Sequence, residues 1–286
     1  MQPENEHPRR PLLLRPLRPR RDGRTRRFRR GAYLLPSLFT MANMFCGYAC
    51  IVHSMRATNA ADRADQLSTA ALFIGFAFVL DALDGRIARM TGTSSAFGVE
   101  FDSLADVVSF GVAPAILAFQ WGLAPLGRIG WAASFLFVAA AAVRLARFNI
   151  QSGSQDKRYF VGLPSPTAAS VPAATVFFYP TGFQTNTEAL PVLAMMIVPA
   201  LLMVSTIRYR SFKTLDLQSR RSYPVLFLLA LGLALLAAQP QIVLAVMAYT
   251  YLASAFIGLA WHRLRKRPPD HGAESHHEPS KDTRAI

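Results

Sequence analysis

Eight apolar runs follow one another along this chain, and each is long enough to be a helix that crosses a bilayer. They cover Tyr33 to Ser54, Leu67 to Met90, Ser103 to Trp121, Ile129 to Asn149, Thr167 to Phe183, Leu190 to Ile207, Tyr223 to Ala238, and Gln241 to Trp261. A hydrocarbon core is crossed by roughly 20 apolar residues in a helix, and a soluble interior has no room for so many such runs. The last two runs are separated only by Gln239 and Pro240. Joined, they exceed one crossing, so a tight helical hairpin is expected. The predicted fold is an all-α membrane protein, a polytopic bundle of about eight transmembrane helices.

Charge sets the orientation of that bundle. The formal net charge is +14, and the basic residues stand in blocks between the apolar runs, which suits a membrane surface and not nucleic acid. With the N-terminus in the cytoplasm and eight crossings, only Arg56, Arg63 and Arg128 of the 31 basic residues fall outside. That is a strong positive-inside bias, and it predicts that both termini are cytoplasmic. Residues 1–30, rich in Pro and Arg, read as a disordered or surface-lying basic arm that suits anionic head groups. Residues 31–262 form the membrane domain, and residues 263–286 a polar, disordered tail. No cleaved secretory signal is expected at the start of the chain. Cys46 and Cys50 read as small buried hydrophobes.

The second run carries acids where an apolar helix should not. It reads FAFVLDALDGRIARM, with Asp81 and Asp84 toward its cytoplasmic end, and the third opens GVEFDSLADVVSFG, with Asp102 and Asp106 at the same end. Charges inside membrane helices are costly and mark function. Pairing with Arg86 and Arg89 leaves two of the four carboxylates without a counter-charge. Separations of three and four residues put each pair on one helix face. Two such helices side by side converge four carboxylates on one point. An all-oxygen site suits a hard divalent cation, Mg²⁺ or Mn²⁺, and two cations about 4 Å apart clamp a transferring phosphoryl group. Gly85 lets a ligand approach the backbone there.

From Asp81 to Asp106 the order is D-A-L-D-G-R-I-A-R, eight residues, G, three residues, D-S-L-A-D. This resembles the CDP-alcohol phosphatidyltransferase motif, D-x-x-D-G-x-x-A-R-x8-G-x3-D-x3-D, with every fixed position filled. The resemblance implies roles. Asp81 and Asp102 bridge two metals, Asp84 completes one metal site, and Asp106 binds the second metal and acts as general base. Gly85 and Arg89 contact the CDP part of the donor, and Ser95 is a further donor contact.

Other stretches resemble the bacterial phosphatidylserine synthase branch of that family: PSLFTMANMFCGY from Pro36, DVVSFGVAPA after Asp106, RLARFN from Arg144 and FVGLPSPTAA from Phe160. That likeness implies a bacterial inner-membrane enzyme, a homodimer, acting on CDP-diacylglycerol and L-serine and releasing CMP. The alternative to direct displacement is a two-step route through a phosphatidyl-enzyme, but no candidate nucleophile stands out, so direct displacement is expected. Arg144 and Arg147 then either hold the serine carboxylate or serve as ordinary positive-inside anchors. Thr40 and Asn43 either hydrogen-bond the cytidine or bond to neighbouring helices. The rival readings are a family member making phosphatidylglycerol phosphate or phosphatidylcholine, and a cation or substrate transporter.

Overall fold

The computed structural model describes residues 23–59, 61–91, 95–151, 159–205, 208–210 and 223–265. Residues 1–22 of the basic arm and 266–286 of the tail lie outside the described residues, and Arg89 is described by its backbone alone.

The described residues are helical apart from one short ribbon. In chain order the helices are α1 (Gly23–Arg56), α2 (Arg63–Thr91), α3 (Ala96–Asp106), α4 (Ala113–Ala118), α5 (Arg128–Gln151), α6 (Ser165–Phe178), α7 (Asn186–Val204), α8 (Tyr223–Ala238) and α9 (Pro240–Arg265). The strands β1 (Tyr159–Val161) and β2 (Arg208–Arg210) pair antiparallel, with Phe160 opposite Tyr209. Among the described residues, five segments are long and apolar enough to cross a membrane: Ser37–Arg56, Arg63–Ile87, Ala96–Leu126, Arg128–Ile150 and Asn186–Val204. The other three expected runs are helical too, but α6 has only 14 residues and α8 only 16, and the apolar part of α9 described in full is Pro240–Ser254.

Several boundaries differ from expectation for local reasons. The third span begins at Ala96, not Ser103, because Ser95 caps it: its Oγ accepts from the Gly98 amide at 3.0 Å. It is also not one regular helix. α3 passes through a π turn at Val107–Val112 into α4, then through a second π turn at Phe119–Leu123. Single π turns inside helices often accompany functional sites. α6 stops at Phe178 because Pro180 disfavours helix in the residue before it. The chain then turns through Gly182, whose φ of +72° suits glycine, and whose missing side chain makes room for the Trp121 carbonyl. α1 starts earlier than Tyr33, so the last residues of the basic arm continue the first helix.

Small side chains let the helices approach. Ala70, Ala71, Ala77, Ala113, Ala115, Ala118, Ala140 and Ala141 are buried in the core, while Phe45, Phe76, Phe135 and Leu201 face outward. Without a hydrophobic force between helices in lipid, close backbone packing is a main source of attraction. Gly47 brings α1 into such a contact with the third span. A Cβ there would lie 2.6 Å from Ser109 Oγ and 2.7 Å from Ser109 Cα.

Helix ends gather into two groups. At one end, Asn149 of α5 donates to Ser103 of α3 at 2.9 Å, and Arg144 of α5 donates to Ser165 at the start of α6 at 3.0 Å. At the other, Arg63 of α2 donates to the Gln120 carbonyl at 2.6 Å, and Trp121 Nε1 donates to the Tyr179 carbonyl at 2.7 Å. The spans therefore alternate in direction.

The Gly47→Ala variant should lose about 1–3 kcal/mol of stability through overpacking. Gly75→Ala, where a Cβ would meet nothing within 4 Å, should be neutral or slightly stabilising. Melting temperatures in detergent compare the two. Equal values would show that the approach of α1 to the third span is not tight.

Candidate active site

Three of the four acids meet, and Asp84 is not in their group. Asp81 and Asp84 lie one turn apart on α2, and Asp102 and Asp106 one turn apart on α3. One carboxylate oxygen from each of Asp81, Asp102 and Asp106 lies within 4.8 Å of the others. Asp84 and Asp106 are buried, and Asp81 and Asp102 half-buried. Ionised carboxylates this close repel by roughly 3–4 kcal/mol per pair at an effective dielectric of 20. A buried oxygen with nothing to accept adds to that cost, and Asp102 Oδ1 is buried without a hydrogen-bond partner among the described residues. A hard cation answers both problems, so the donor set fits one chemically. The site lies near the helix ends: Asp84 stands about two turns before Thr91, the last residue of α2. A midplane transport site would lie deeper.

The third wall of the site is α1. Thr40 Oγ1 donates to Asp84 Oδ2 at 3.1 Å, and Asn43 Nδ2 donates to Asp106 Oδ1 at 3.2 Å. Thr40 and Asn43 are three apart, on one face of α1, matching an acid on α2 and an acid on α3. Of the two sequence readings for these residues, the structure displays the bonds to neighbouring helices. The second anchor runs the other way: Ser109, in the π turn just after Asp106, donates to the Asn43 carbonyl at 2.9 Å.

The two arginines near the end of α5 do different work. Arg144 is buried, donates to Ser165 Oγ, and lies over the Phe148 ring at 5.6 Å. It is within electrostatic reach of Asp106 and Asp81. Arg147 instead holds the end of α7. Its guanidinium donates to the carbonyls of Val204 at 3.0 Å and of Met203 and Ser205 at 3.2 Å each. Those are carbonyls that a helix terminus leaves unpaired, and a cation suits the negative end of its dipole. Gly162 must be glycine beside this clamp. Its φ is +83°, and a Cβ would lie 2.5 Å from the Met203 carbonyl and 2.7 Å from the Arg147 guanidinium.

The remaining expected residues are less central. Gly85 follows Asp84 in α2 and is half-buried. Ser95 is exposed and occupied as the α3 cap. Sequence reasoning missed Ser165, which is fully buried against Arg144, and the pairing of Ser103 with Asn149. The signal for Ser165 was weak, since a serine beside prolines reads first as a turn.

Known proteins supply an independent comparison. The family described as CDP-alcohol phosphatidyltransferase matches residues 33–207. A CDP-diacylglycerol–serine O-phosphatidyltransferase of Helicobacter pylori is 40% identical over 204 residues, 70% of this chain and 81% of that protein. One from Mycobacterium leprae is 32% identical over 227 residues, 77% of this chain and 72% of that protein. An archaetidylserine synthase of Methanothermobacter thermautotrophicus is 37% identical over 177 residues, 61% of this chain and 69% of that protein.

If the acids hold a cation, Mn²⁺ should raise the melting temperature of the purified protein. In Asp102→Asn, relief of repulsion should raise the metal-free value, and the rise with Mn²⁺ should largely vanish. A variant that still gains as much from Mn²⁺ as the wild type would remove Asp102 from the site.

Proposed function

The chain belongs to the CDP-alcohol phosphatidyltransferase family, and on that footing we propose that it transfers the phosphatidyl group of CDP-diacylglycerol to L-serine, giving phosphatidylserine and CMP. The observation that carries the reading is the convergence of the acids of α2 and α3 in a chain 40% identical, over 70% of its length, to an enzyme bearing that name. Asp81, Asp84, Asp102 and Asp106 would hold two divalent cations, Mg²⁺ or Mn²⁺, which when bound neutralise the diphosphate and the departing CMP.

The chain's own residues do the rest. Asp106 takes the proton from the serine hydroxyl as its oxygen attacks the β-phosphorus, and the bond from that phosphorus to the CMP oxygen breaks. Gly85 leaves the backbone open to the donor, Arg89 pairs with its phosphate, and Ser95 adds a further donor contact. Arg144 is the group for the serine carboxylate. Its buried position near Asp106 and Asp81 supports that role, whereas Arg147 is occupied by α7 and positions α5. Glycerol 3-phosphate and choline offer no such carboxylate.

A place for the donor's acyl chain adjoins the acids. An apolar groove of about 340 Å³ lies between α2, α6 and α9, lined by residues that include Ile74, Gly75, Phe78, Ser170, Ala174 and Met247. Its α2 wall leads directly into Asp81. α6 is short and sits inside the bundle, which leaves this groove beside it. The reading keeps eight crossings of a bacterial inner membrane, both termini and the acid end in the cytoplasm, supported by the distribution of basic residues. It keeps the homodimer on resemblance alone.

Purified protein supplied with CDP-diacylglycerol and Mn²⁺ should release CMP with labelled serine and much less with glycerol 3-phosphate or choline. Preference for either of the others would overturn the acceptor. Asp106→Asn should lower turnover at least 10²-fold while CMP still binds. Gly75→Trp, which fills the groove, should raise KM for long-chain donor and leave KM for serine alone. An unchanged donor KM would place the acyl chain elsewhere.

A further inference from the structure

The proposed base does not stand alone, and the residue that holds it comes from a helix outside the acid motif. We propose that Asn43 is the positioning residue of Asp106: its amide fixes one carboxylate oxygen, so that the other is presented to the reacting atoms. This rests on the reading of Asp106 as the base.

The geometry is specific. Asn43 is fully buried, and its Nδ2 donates to Asp106 Oδ1 at 3.2 Å. Its Oδ1 is buried and has no hydrogen-bond partner among the described residues. A purely structural amide in an apolar bundle would satisfy both ends, because an unpaired buried acceptor costs about 1–3 kcal/mol. The amide is thus oriented by its bond to Asp106, and not by membership of a wider network.

Asn43 is itself held from behind. Its main-chain carbonyl accepts from Ser109 Oγ at 2.9 Å, and Ser109 is fully buried three residues after Asp106. The π turn at Val107–Val112 places that hydroxyl against α1, and Gly47 leaves the space it needs. Asp106 and Ser109 therefore grip one residue of α1 from two sides, through its amide and its carbonyl. A base held by a second group, which is itself fixed by a third, is the arrangement that activated side chains commonly require. It also differs from a cytidine contact, in which the amide would face the nucleotide.

Kinetics of Asn43→Ala and the volume-keeping Asn43→Leu separate these roles. We expect kcat to fall about 10–100-fold, the range for partners that orient a working ligand. KM for CDP-diacylglycerol, KM for serine and the Kd of CMP by calorimetry should each stay within about threefold. A tenfold weaker CMP or donor with kcat retained would make Asn43 a cytidine contact and overturn the proposal, as would an unchanged kcat. Ser109→Ala should lower kcat with the same unchanged KM values, and should have little further effect in the Asn43→Ala background. Fully additive losses would break the link through Ser109. Should neither Asn43 variant fold, the split between kcat and KM in Ser109→Ala decides. Asp106→Asn keeping normal turnover would sink the base itself. Asp106→Asn inactive with Asn43 variants at full kcat would sink only this inference.

Discussion

Four carboxylates in an apolar bundle set the terms on which every neighbouring helix packs. Each is costly in lipid, and three of them crowd within 4.8 Å. The fold meets that cost by surrounding them with donors from neighbours. Thr40 and Asn43 reach in from α1, and Arg144 brings its charge from α5. Donors with short side chains work only if the backbones are close, so the donors on α1 demand small residues beside them. Gly47 against Ser109 answers that demand directly, and the alanines of α2 and α4 continue it. The packing of α1 is therefore a consequence of the acids, although α1 carries none.

The same logic explains the irregular third span. A regular helix through Asp106 would repeat every 3.6 residues and carry one face steadily around the axis. The π turn after Asp106 adds a residue to the turn and re-aims the side chains beyond it. Here it brings Ser109 to α1 while α4 goes on to pack in the core. Gly111 in that turn sits against Ala141 of α5, so α5 also closes on the span just beyond the acids. The arginine three residues beyond Arg144 then ties α5 to the end of α7, which helps to fix where the Arg144 guanidinium lies.

Much of this was legible from the sequence where a periodic signal existed. The eight apolar runs became helices, and the spacing of the acids implied a convergence that Asp81, Asp102 and Asp106 show, while Asp84 accepts from Thr40. What could not be read was which face of α1 met the acids. A threonine and an asparagine three apart in an apolar run carry the same spacing signal as the acids, but polarity does not say whether the partner is a ligand or a helix. Boundaries failed for a similar reason. Ser95 starts α3 by one local hydrogen bond, and Pro180 with Gly182 ends α6 early, whereas hydropathy alone continues through both. Arg144 and Arg147 looked equivalent because both lie at one helix end. Only the position of the α7 carbonyls distinguishes them.

That distinction bears on how an acceptor is chosen. One arginine whose hydrogen bonds run to the end of a helix is occupied, and it serves as a fixed post. The other, three residues earlier and almost one turn along α5, is buried near two of the acids, with a serine hydroxyl on one side and an aromatic ring on the other. A guanidinium presents five donors, and a single bond to Ser165 uses only one of them. The remaining donors are what a planar carboxylate requires, and the acids nearby would reject any acceptor that brought further negative charge without a cation to meet it. On the proposed assignment, acceptor choice rests on α5 as well as on Asp106, and α5 lies outside the motif that holds the donor.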